Sequence, residues 1–125
     1  MYLLKDLINQ IKDSLSEDNQ AEALRVVADF YSRQVAADQV VSDLDKDPGS
    51  VGDSKWDALI AGVVERIFNK RNESVPAWTI NQSRFCHPWW FVSPYVALHA
   101  SAIVNSAPEL ANRGVFLHAD SLESV

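Results

Sequence analysis

Cysteine is nearly absent from this chain, and so is any long apolar run. Cys86 is the only cysteine, which rules out an intrachain disulfide and a cysteine-rich metal framework. No stretch approaches the eighteen apolar residues of a membrane span. The opening MYLLKDLINQIKDSL is too interrupted by charge for a signal peptide, so the default location is cytoplasmic with no membrane partner. Glycine is scarce too. Gly49, Gly52, Gly62 and Gly114 fit neither a dinucleotide nor a Walker pattern. Positive charge is also short: 11 Lys and Arg face 17 Asp and Glu, a net charge of −6. That balance argues against direct nucleic-acid binding, which needs clustered cations to neutralise phosphates. It leaves a basic protein partner open, because acidic charge steers such an encounter.

What is present is aromatic and helical. A length of 125 residues with 47% apolar content suits one globular domain with its own core. The charge is uneven: residues 1–75 carry nine Lys/Arg and fourteen Asp/Glu, and residues 76–125 carry two and three. Apolar residues at helical spacing predict helices over 3–16 and 19–36 and a shorter one over 38–46. DKDPGSVGDS, 45–54, reads as a loop. Asp53 or Ser54 then caps a helix from 54 to about 70, within a central segment 54–72. Trp56, Leu59, Ile60, Val63, Val64, Ile67 and Phe68 form its broad apolar face. Beyond Pro76 the pattern is less regular. It allows short turns near 81–87, a helix over 94–105, a short helix over 108–113 stopped by Gly114, an extended Val115–Leu117 and a last turn over 120–123. The fold class is all-α: a single-domain helical bundle, with acidic helices over 1–46 and an irregular aromatic-rich segment over 76–125.

The chemistry-bearing residues do not form a catalytic set. His87, His99 and His118 lack metal-ligand spacing. Cys86 lies between Phe85 and the tryptophans, as a buried and unreactive thiol would. The expectation is no catalytic, metal or cofactor-binding residue: the chain is not an enzyme. The aromatics carry the signal instead. Trp78, Phe85, Trp89, Trp90 and Phe91 lie within PAWTINQSRFCHPWWF, residues 76–91. Adjacent side chains on one element cannot all face inward, so at least one of Trp89, Trp90 and Phe91 should be exposed as an interface anchor. Arg113-Gly114 followed by VFLHAD offers two readings: a turn that presents a charge to a partner, or a helix stop followed by a packed tail.

The succession GDSKWDALIAGVVERI, VPAWT, RFCHPWWFVS and ALHASAIVNSAPELANRGVFLHADSLESV, within residues 52–125, resembles a family of small bacterial proteins. That family carries W-D-A-L-x-A-G-V, P-A-W, W-F and R-G-[IV]-F-[LV]-H motifs. It is found in toxin–antitoxin-like gene pairs, beside nucleotidyltransferase-type toxins. The chain departs from its pattern at Cys86, His99, Ala107 and Ala111-Asn112. The resemblance implies a non-catalytic antitoxin that binds and occludes a toxin enzyme, with Trp89, Trp90, Phe91, Arg113, Phe116 and His118 as candidate partner-binding residues. The alternative is a homodimer, as a structural or adaptor protein of a mobile-element or regulatory system.

Overall fold

Two amphipathic helices open the fold in this computed structural model, which describes residues 3–37, 42–86, 89–92, 102–103 and 105–117. α1 spans Leu4–Ser16 and α2 spans Gln20–Ala36. Between them Asp18 takes a left-handed φ of 55°, a conformation Asp tolerates better than most residues. Asn19 then caps α2 by accepting from the Glu22 backbone N–H at 3.1 Å. Leu4, Leu7, Ile8 and Ile11 form the buried face of α1, which packs on α2.

The predicted helix over 38–46 is a single 3₁₀ turn, Ser42–Asp45, where the structure describes it; residues 38–41 lie outside the described residues. Asp43 has a different task from helix extension. Its carboxylate accepts from the Leu4 backbone N–H at 3.1 and 3.2 Å, so it caps α1 from a distance. Leu44 is buried beside it.

α3, Ser54–Lys70, is the central helix. Asp53 caps it by accepting from the Lys55 N–H at 2.9 Å. Its buried residues run around nearly the whole circumference: Trp56, Asp57, Ala58, Leu59, Ile60, Ala61, Gly62, Val63, Val64, Ile67 and Phe68. A helix apolar on all sides must be surrounded. It is covered by α2, by 3₁₀ turns Ala77–Ile80 and Gln82–Arg84, and by the segment that follows. Each large apolar side chain buried there contributes about 1.5–3 kcal/mol.

That segment holds β1, Trp90–Phe91; helical backbone at Ala102, Ile103 and Asn105; α4, Pro108–Ala111; and β2, Val115–Phe116. Pro108 occupies the first helical turn of α4, where its missing N–H costs nothing. Gly62 lets α4 settle on α3: a Cβ there would stand 2.5 Å from Leu110 Cδ2 and 3.2 Å from the Glu109 carbonyl. α4 ends at Ala111 with Asn112 as its C-cap, two residues short of the predicted helix over 108–113, and Gly114, with φ of 78°, turns the chain beyond it. The expected extended Val115-Phe116 pairs in parallel with β1, Trp90 opposite Val115 and Phe91 opposite Phe116. This pairing was not expected from an all-α reading, but it is a two-residue exception in a mostly helical fold. One hydrophobic cluster takes in residues from Leu4 to Leu117. The predicted final turn over 120–123, and most of the predicted helix over 94–105, lie outside the described residues. Among the described residues no helix is long and apolar enough to cross a membrane.

Candidate interaction surface

Strand alternation divides the aromatic run into two faces. Side chains of successive strand residues point to opposite sides, so Trp90 and Val92 share one side and Trp89 and Phe91 the other. The inner side belongs to the core. Val92 is buried, and Trp90 lies tilted against Trp56 at 5.3 Å between ring centroids. On the outer side Trp89 meets Phe116 edge-on at 5.0 Å, and Phe91 stacks on the same ring at 5.0 Å. The parallel register that sets Phe91 opposite Phe116 puts both on this face. The arrangement is held by backbone bonds: Trp90 N–H donates to the Gly114 carbonyl at 2.7 Å and Val92 N–H to the Phe116 carbonyl at 3.1 Å.

The three rings differ in depth. Trp89 is 63% exposed, Phe91 is half-buried and Phe116 is 6% exposed. Phe116 therefore supports the surface from beneath, and its reading as a direct contact residue is corrected: the two rings over it take the exposure away. Trp90 is half-buried with its ring turned to Trp56. Trp89 alone of the three stands out from the molecule. Ile80 and Ile103 are the other exposed large apolar side chains among the described residues, each on its own element and in itself ordinary.

Arg113 requires the second correction. It is 2% exposed, so it presents no charge outward. Its guanidinium donates to the Glu65 carboxylate, to the Glu109 carbonyl at 2.9 Å and to the Thr79 carbonyl at 2.7 Å. It also lies over the Phe85 ring at 5.2 Å. The left-handed turn at Gly114 makes this possible: the chain reverses just after Arg113 and leaves its side chain inside. A Cβ at Gly114 would stand 2.8 Å from the Cys86 carbonyl and 3.1 Å from Trp89 Cδ1. Glycine is therefore needed beneath Trp89 both for its φ and for space.

Arg84 plays a similar part and had no assigned role. It is 3% exposed, donates to Asp47 at 2.6 Å and to the Gly49 carbonyl at 2.9 Å, and covers the Trp78 ring at 4.8 Å. Asp57 completes this corner by accepting from Ser50 at 2.5 Å and from the Val51 N–H at 2.9 Å. The Asp47 carboxyl is held below its usual range, first by the Gly49 N–H and further by Arg84, against the opposing effect of burial. Arg84 and Arg113 are the only cations in residues 76–125. A lone arginine in an aromatic, sparsely charged stretch is the sequence signal that could have marked both as internal.

Cys86 is buried, and burial pushes its thiol pKa up, with Asp53 adding and Lys55 opposing. Such a thiol is a poor nucleophile at neutral pH. His87, His99 and His118 lie outside the described residues, so the last candidate contact, His118, has no place in this surface description. Among the described residues no group of His, Cys, Asp and Glu is arranged to hold a metal ion. Comparisons with family models, with curated proteins and with solved structures give no match for this chain.

Proposed function

We propose that this chain is a protein-binding module whose anchor is Trp89. The observation that carries the reading is the exposed indole set edge-on against Phe116, next to a strand whose Trp90 N–H is held by the Gly114 carbonyl. Tryptophan is the residue type most enriched among binding hot spots. A rigid indole also loses little conformational entropy when a partner closes over it. The family resemblance implies a partner class: a toxin enzyme of nucleotidyltransferase type, or another that processes nucleic acid, occluded and not chemically altered. Half-buried Phe91 extends the apolar contact around the anchor.

The test is co-expression with the product of the adjacent gene. The reading expects a stable complex, relief of any growth arrest that product causes, and loss of both with Trp89→Ala. A chain that neither co-purifies with that product nor relieves its toxicity would contradict it.

A further inference from the structure

We propose that the Trp89 face takes a cationic protein surface, an apolar hollow edged by Lys or Arg, and not a second copy of this chain. This rests on the docking reading above and specifies the chemistry of its occupant.

Charge carries the choice. Residues 76–125 contain two cations, Arg84 and Arg113. Both are at most 3% exposed, and both guanidinium groups are committed to carboxylates and backbone carbonyls of this chain. The stretch that builds the aromatic face therefore has no cation to offer across an interface. The first turn of α3 comes close to it, because Cys86 Sγ donates to the Lys55 carbonyl at 3.9 Å. That turn brings Asp53 and Lys55 together, and their charges offset one another. A second copy would place two such faces, each on a chain of charge −6, against one another. Two chains of the same net charge repel as they approach, whereas a basic partner is steered in and gains both on-rate and specificity. The exposed ring is suited to the same partner. An indole is the best aromatic acceptor for a guanidinium or ammonium group. The fold already makes such contacts twice inside, Arg84 over Trp78 and Arg113 over Phe85.

The probes are two amphipathic peptides of equal length, one of Leu and Arg, the other with Glu in place of every Arg. Each is titrated calorimetrically into the full chain, into Trp89→Ala and into Trp89→Phe. The Arg peptide should bind at least about tenfold more tightly than the Glu peptide. Its affinity should fall as salt rises, drop about tenfold or more in Trp89→Ala, and be partly kept by Trp89→Phe. Circular dichroism confirms that both variants fold. Equal binding of the two peptides would overturn the charge inference and leave an apolar docking site standing. So would binding of neither peptide by a chain that still captures the adjacent gene's product. Arg-peptide binding unchanged in Trp89→Ala would overturn the placement on this face. A dimer in sedimentation runs that Trp89→Ala dissociates would overturn the choice against a second copy.

Discussion

Trp56 and Trp89 are the same residue type in opposite settings, and their truncation should separate stability from binding. Trp56 is 2% exposed and sits under Trp90. Trp56→Ala should cost about 3–5 kcal/mol in urea unfolding, and a loss under about 1 kcal/mol would show that the ring is not core. Trp89 meets Phe116 edge-on and is 63% exposed. Trp89→Ala should cost about 1 kcal/mol or less by the same measurement. Arg113 is a third case. Deleting its guanidinium leaves the Glu65 carboxylate without its internal cation, so Arg113→Ala should destabilise by about 3–5 kcal/mol. Arg113→Lys should recover only part of this, because one ammonium cannot span three separate acceptors.

At the scale of elements, regular helices were legible and long-range pairings were not. The 3–16, 19–36 and 54–70 readings agree with α1, α2 and α3 to within a residue or so, because each carries an apolar period and a polar break at its end. The 38–46 reading failed over its described part because Asp43 serves α1, thirty-nine residues away, and no local pattern shows that. The β1–β2 pair escaped notice for a similar reason: Trp90 and Val115 meet only through the intervening chain. The same holds for the candidate surface. Alternation required that one of Trp89, Trp90 and Phe91 be exposed, yet only the parallel register decides that Phe116 lies beneath them and that Trp90 turns inward. Arg113 and Phe116 were placed at the surface by their motif and are inside by the turn at Gly114. Gly114→Ala tests this turn. The new methyl would meet the Cys86 carbonyl at 2.8 Å with φ at 78°. A loss of about 1–3 kcal/mol is expected, together with a changed environment of Trp89 in indole N–H NMR spectra. An unshifted Trp89 resonance would contradict the role given to this glycine.

For the whole molecule the division of charge matters: the acidic excess lies in residues 1–75, and the two arginines of the aromatic segment, Arg84 and Arg113, are held within. Glu109 bears on the acid limit of this arrangement. Burial alone would raise its carboxyl pKa, but the Asn69 amide, a backbone N–H and Arg66 outweigh burial and hold it below the ordinary value. A depressed pKa means stability that is present above the ordinary carboxylate range and lost as pH falls through the folded-state value. Unfolding midpoints should therefore decline below about pH 4.3. Glu109→Gln should be less stable at neutral pH, with a shallower acid decline; an identical decline would show that Glu109 does not contribute. The central claim is that Trp89 binds and does not hold the fold together. Its most direct test is to measure, for Trp89→Ala and Trp90→Ala in parallel, urea unfolding and affinity for the adjacent gene's product. Trp89→Ala should unfold nearly as the parent chain does while binding weakens by about tenfold or more, whereas Trp90→Ala should lose stability first. Undiminished affinity in a folded Trp89→Ala would contradict the account.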